Sequence, residues 1–190
     1  MSRALSASRQ IFAAAPYGGL PLPAQLAGLG TVLCLYRAGS GSLDGLRQAT
    51  SVAACQGVDS EGVVESLCFH DAQQRCCWRL YLLPESDFLA WDHLVSQLPA
   101  AAEAAQPGVA ERLWRRMATR LGGEGWRMCA LRLHASRDGQ SLTASPAVLS
   151  RLGGTVARRI ARSEGAEGQV CVDGDPDLSS APSAWSTAHH

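Results

Sequence analysis

Glu65–Leu98, ESLCFHDAQQRCCWRLYLLPESDFLAWDHLVSQL, holds two alternating apolar stretches, a polar turn between them and a helical stripe behind. Val63, Glu65, Leu67 and Phe69 alternate with Val64, Ser66, Cys68 and His70. After Asp71-Ala72-Gln73-Gln74 the chain returns with Cys76, Trp78, Leu80 and Leu82 alternating against Cys77, Arg79 and Tyr81. Period-two alternation on both sides of a four-residue polar turn predicts a β-hairpin. A turn closing on those four residues sets His70 opposite Arg75, Phe69 opposite Cys76, Cys68 opposite Cys77 and Leu67 opposite Trp78. Directly opposed residues share a face of a sheet. One face is then core, with Val63, Leu67, Phe69, Cys76, Trp78, Leu80 and Leu82. The other carries Ser66, Cys68, His70, Cys77, Arg79 and Tyr81, a mixed surface open to solvent, a partner or a ligand. A one-residue slip would exchange the two faces.

Pro84 ends the second strand, and Ser86 or Asp87 is a good N-cap for the helix behind it. Phe88, Trp91, Leu94, Val95 and Leu98 fall at helical spacing and form one stripe, with His93 pointing away.

Upstream, Leu22–Leu29 predicts a short helix and Thr31–Tyr36 a compact β-rich strand. Ala38–Ser42 reads as a flexible loop and Thr50–Cys55 as a further strand. Downstream, Val109, Leu113, Trp114, Met117 and Leu121 predict a helix over Pro107–Leu121, flanked by Arg112, Arg115, Arg116 and Arg120 and ended by Gly122-Gly123. Trp126–Ala135 alternates as a strand, with Leu131 and Leu133 on one side and Arg132 and His134 on the other. Asp138-Gly139 is a hairpin turn signal and Gln140–Ala144 brings the chain back. Ser145-Pro146 reads as an N-cap with proline at the first helical position. The helix it opens passes through Val148, Leu149, Leu152, Val156 and Ile160, weakened by Gly153-Gly154, and Gln169–Val172 adds an edge strand. Hairpin followed by capped helix thus occurs twice, over 63–98 and 126–162. That repetition predicts an α+β fold: a largely antiparallel sheet with helices packed on one face. Residues 20–172 are expected to form a single domain, preceded by a poorly ordered segment (1–19) and followed by a flexible tail (173–190).

The chain has 190 residues, 46% of them hydrophobic and 18% charged, the balance of a globular domain with a sizeable core. Its formal net charge is zero, which argues against phosphate-neutralising nucleic-acid binding. No apolar run approaches the roughly 20 residues of a spanning helix, and Arg9-Gln10 interrupts any signal-like stretch, so a cytoplasmic protein without membrane insertion is expected. The seven cysteines are scattered, with no C-x-x-C, which removes the motif of zinc-ribbon, thioredoxin-like and c-type haem readings. In a reducing compartment most would pack as small hydrophobes.

Ser66-Leu67-Cys68-Phe69-His70-Asp71, then Cys76-Cys77-Trp78-Arg79-Leu80-Tyr81-Leu82, then Ser86-Asp87 and Trp91, resemble the repeat unit of the bacterial cytoplasmic haem-utilisation proteins. These are the family of hemin transport and hemin-degrading proteins. Leu35-Tyr36-Arg37-Ala38 is similar to the segment that follows the family's first strand. The resemblance covers residues 24–98 and implies a haem-handling fold. Gln74 stands where the family's turn usually has Gly, and Trp78 where it often has His. The segment carrying the family's axial histidine matches no residue of this chain.

The resemblance implies haem, as ligand or cargo, and a role in haem uptake, trafficking or utilisation connected with iron acquisition. His70, Arg79 and Tyr81 on the hairpin, and His134 with Arg132 on the later strand, are the candidate haem-binding residues. Imidazole, phenolate or a thiolate of Cys68 or Cys77 on the same hairpin face ligates iron, and guanidinium pairs with propionates. The same residues also fit a wet hairpin end and a wet sheet face, with Cys68 and Cys77 merely packing or forming a disulfide. His93 and the clusters Arg112/Arg115/Arg116/Arg120 and Arg158/Arg159/Arg162 are further candidates with an equally plain reading as solvated helix flanks. No nucleophile–base pair or phosphate loop stands out, so the expected protein is a homodimeric haem binder rather than an enzyme. The alternatives are a non-catalytic interaction module that keeps the fold without a haem site, and a haem-degrading enzyme.

Overall fold

A computed structural model describes residues 9–11, 19–59, 62–98 and 125–173. The continuous apolar run at Thr31–Arg37 (β2) becomes the strand around which the rest is arranged. Val32, Leu33, Cys34 and Leu35 are all fully buried. A strand covered on both faces loses the usual apolar–polar alternation, which explains why this one reads as a solid block.

On one side β2 pairs with Cys76–Tyr81 (β5), followed outward by Gly62–His70 (β4), Ser51–Asp59 (β3) and Arg9–Ile11 (β1). On its other side lie Trp126–Ala135 (β6) and then Leu142–Pro146 (β7). All of these pairings are antiparallel. The short Ala166–Glu167 (β9) joins the Trp126 end of β6 in parallel, and Val148–Leu149 (β8) pairs in parallel with Cys171–Val172 (β10). Four helices among the described residues complete the fold: Pro23–Gly28 (α1), Asp44–Gln48 (α2), Phe88–Gln97 (α3) and Arg151–Glu164 (α4).

The α+β class and the largely antiparallel sheet are as the sequence reading has them, and so are the hairpin–helix units β4-β5-α3 and β6-β7-α4. Alternate residues of β2 show how the two units are shared out. Val32 and Cys34 pack with Leu26 of α1 and Trp91 and Leu94 of α3. Leu33 and Leu35 pack with Ala157, Ile160 and Ala161 of α4. The helix of the second unit therefore covers the face opposite the first.

The hairpin register differs from the four-residue-turn expectation. Phe69 pairs with Trp78, Leu67 with Leu80, Cys68 with Arg79 and Ser66 with Tyr81. His70 pairs with Cys76 across an irregularity that leaves Cys77 as the extra residue of a bulge. The slip amounts to two residues, so Leu67, Phe69, Trp78 and Leu80 keep their shared face. The bulge exchanges the two cysteines: Cys77 joins Trp78 in the first core, and Cys76 packs near Cys68 on the other side. The Cys68–Cys77 disulfide considered from sequence is thereby removed, and all seven cysteines remain thiols. Nor is the second hairpin face open: Ser66, Cys68 and Tyr81 are buried, Tyr81 in the core that holds Ala157 and Ile160 of α4 and Cys68 in a small cluster with Ala53, Cys55 and Cys76.

Ser145-Pro146 ends β7 instead of opening a helix, with Pro146 paired to Leu131 on the outermost strand. The cap of α4 is Ser150, whose hydroxyl accepts the Gly153 amide at 3.1 Å. Gly153-Gly154 serves close packing: a Cβ at 154 would stand 2.5 Å from a Val172 methyl, and one at 153 would overlap the Glu85 carboxylate. At α3 the expected cap is present, with Asp87 accepting from the Ala90 amide at 2.9 Å. The helix expected over Pro107–Leu121 and most of the two terminal segments lie outside the described residues.

Candidate functional site

Arg79 and Tyr81 alternate on β5 and both reach the face under α4. There Glu164, in the last turn of α4, forms an ion pair with Arg79 and accepts a hydrogen bond from the Tyr81 hydroxyl at 2.7 Å. The Arg79 Nε donates to Cys76 Sγ at 3.2 Å, and its guanidinium lies 4.8 Å from the Trp126 ring centroid. Arg37 stacks on the same indole at 4.4 Å and donates to the Cys76 carbonyl at 3.0 Å. These contacts lock the α4 C-terminus to the sheet. A hydrogen bond with the Cys68 thiol, together with burial, pushes Cys76 well above an ordinary thiol.

The two histidines are far apart. His70 ends β4 beside Cys76, while its pairing neighbours run across the sheet through Trp78 and Tyr36 to Arg127. His134 lies near the opposite end of β6, roughly 25 Å further along the strand direction. It is exposed, and its Nε2 is 2.8 Å from the Ser145 hydroxyl. Arg132 stands exposed two residues before it, opposite Thr31. His93 bonds to Gln97 on the outer side of α3, with 2.7 Å between His93 Nε2 and Gln97 Nε2. The structure thus brings Arg79 with Tyr81, and Arg132 with His134, but it does not bring the five sequence candidates into one site.

What it does assemble is a cleft of about 440 Å³. Its walls are the start of β4 (Val63, Val64, Glu65), the segment after β5 (Leu82, Leu83, Pro84), the first turns of α3 (Phe88, Asp92) and the middle of α4 (Val156, Arg159, Ile160). The Pro84–Asp87 turn fixes this meeting point. Ser86 Oγ donates to the Thr31 carbonyl at 2.5 Å, Asp87 N donates to the Leu29 carbonyl at 2.9 Å, and Glu85 accepts the Ser150 amide at 2.9 Å. The N-termini of α3 and α4 are therefore held against one another and against β2. The volume is in the range of small-molecule sites, and the lining is mainly apolar with a few charged groups. Val63 and Phe88 are 61% and 52% exposed, unusual for large apolar side chains.

Sequence reasoning found one part of this cleft, the cluster Arg158/Arg159/Arg162. The helix divides that cluster: Arg159 enters the cleft wall, while Arg158 and Arg162 face solvent. The remaining lining was invisible because it depends on α4 crossing the second face of the sheet. None of the described residues that line the cleft carries an imidazole, thiol or phenol. Among the described residues no group of three or more His, Cys, Asp or Glu could hold a metal ion, and no helix is long and apolar enough to cross a membrane.

No protein-family model and no curated protein matches this chain. Among solved structures it is similar in part to holo-PhuS, a heme-binding protein from Pseudomonas aeruginosa, at 21% identity and a TM-score of 0.33. The match covers 53% of this chain and 40% of that one, so this chain spans well under two thirds of its length.

Proposed function

We propose that this protein is a haem-handling protein that takes the macrocycle as cargo in the cleft between β4, α3 and α4. The observation that carries the reading is the cleft itself: mainly apolar walls that carry one guanidinium, Arg159, and two carboxylates, Glu65 and Asp92. An apolar macrocycle bearing carboxylates suits that combination, with Arg159 pairing to one propionate. The motif resemblance over residues 24–98 supports the same ligand class. In this reading the cleft supplies no axial ligand, and Glu65 and Asp92 turn the second propionate outward to solvent. His70 and His134 stand outside the site.

Hemin titration followed in the Soret region tests this. Saturable one-to-one binding is expected, weakened about tenfold or more in Arg159→Glu and unchanged in His70→Ala and His134→Ala. Binding lost in a histidine variant would move the site to that histidine. Non-saturating absorbance would end the haem reading.

A second reading has one specific observation behind it. Val63, Phe88, Leu89 and Leu152 are all more than half exposed, the first two in the cleft wall and the others on α3 and α4, the helices that contribute to it. Such a patch also suits a protein partner, including a second copy of this chain. Concentration-dependent association in sedimentation, abolished by Phe88→Asp with hemin absent, would favour it.

A further inference from the structure

Two thiols face each other at the centre of the sheet, away from the cleft. Cys34 of β2 is the direct cross-strand partner of Cys129 of β6. Directly opposed antiparallel residues have Cα atoms about 4.5–5.5 Å apart, inside the roughly 4.4–6.8 Å that a disulfide spans. Both side chains lie on the face covered by α1 and α3, and their thiols are within hydrogen-bonding reach. Their exposures differ in a useful way. Cys34 is fully buried, whereas Cys129 is only partly covered, standing between buried Leu131 and the half-exposed Arg127.

We propose that Cys34 and Cys129 form a reversible redox pair, Cys129 receiving the oxidant and Cys34 resolving it. With a small-molecule disulfide such as oxidised glutathione, the Cys129 thiolate attacks one sulfur and expels one glutathione thiolate. Burial and the neighbouring Cys129 hold the Cys34 thiol well above its ordinary range. Cys34 therefore gives up its proton to the departing glutathione sulfur as it attacks the Cys129 sulfur of the mixed disulfide and expels the second glutathione. The two protein S–H bonds are replaced by one S–S bond, the two electrons reduce glutathione disulfide, and the two protons end on the two glutathione thiols.

The product would join the two hairpin–helix units through their shared strand. It closes a loop of about a hundred residues, the regime in which a cross-link restricts the unfolded chain most. Other thiol pairs fit less well. Cys68 and Cys76 lie diagonally across the β4–β5 bulge, since Cys68 is opposite Arg79. Cys77 shares the core of Cys34 but points its thiol at the Gly45 and Phe69 carbonyls, at 3.2 and 3.4 Å, and Cys171 is exposed on β10.

The full-length reduced protein, equilibrated in glutathione buffers of increasing oxidised fraction, quenched by alkylation and peptide-mapped, tests the pair. The dominant disulfide is expected to connect the Cys34 and Cys129 peptides, with a rise in Tm of roughly 10 °C that dithiothreitol reverses. Cys129→Ser should abolish both effects. Cys34→Ala should leave Cys129 as a stable glutathione adduct. Three results would overturn the proposal: a stable adduct at Cys129 in the unmodified protein with Cys34 still alkylatable, a dominant disulfide elsewhere, or no oxidation of the folded chain. The decisive reading comes from the unmodified sequence, so it survives a variant that fails to fold.

Discussion

Arg79 carries its charge into a setting from which most water has been removed, its side chain only 16% exposed. A charge there costs several kcal/mol unless it is matched. Glu164 matches it, and Tyr81 satisfies the second carboxylate oxygen. Removing one partner leaves the other stranded, which is worse than never having had the pair. Glu164→Ala should therefore destabilise the protein by about 3 kcal/mol, while Arg79→Met/Glu164→Leu together should cost much less. Urea denaturation of the two variants checks this. Equal losses would mean that the network contributes through packing alone. Sequence reading found Arg79 and Tyr81 on one face, because alternation places them there. It assigned them to a ligand because their true partner is 85 residues downstream and no local pattern points to it.

The hairpin teaches a related lesson at the scale of the element. Alternation revealed both strands and the turn, but register depends on how the turn closes. Asp71 organises that turn, with one carboxylate oxygen accepting both the Gln73 and Arg75 amides at 2.9 Å. Gln74 completes it at φ 60°, the one described non-glycine residue in the left-handed region. An L side chain there is strained, which is why glycine is the usual choice. Gln74→Gly should relieve that strain, and even after the added freedom of the unfolded chain it should stabilise by about 0.5–1 kcal/mol. A rise in the thermal midpoint with the native circular dichroism retained is the expected result. A fall would mean that the Gln74 side chain contributes more than its backbone costs. The bulge at Cys77 was hidden from sequence because a doubled cysteine alternates neither way: either residue fills the apolar slot equally well.

For the whole molecule, the solid apolar block of β2 was legible as a strand, while its central place was not. Its flanking partners are β5 and β6, one from each hairpin–helix unit, and its two faces feed both cores. Neither unit can bury its inner strand without β2, so the two should open together and not as separate domains. Native-state hydrogen exchange makes this measurable. Amides of β2 and of the inner strands β4, β5 and β6 should exchange only through global unfolding, at one common free energy. The short pairings of β1 and of β8 with β10 should exchange far faster, because three residues or fewer pair in each and fraying costs little. Protection of β6, β7 and α4 that falls as a block below that of β3–β5, by about 2 kcal/mol or more, would separate the units. It would then assign β2 to the first of them, and the cleft, whose walls come from both units, would open each time the second one melted. Equal protection would mean that the cleft persists for as long as the fold does, since Arg159 could leave Val63 and Phe88 only by breaking the sheet at its centre.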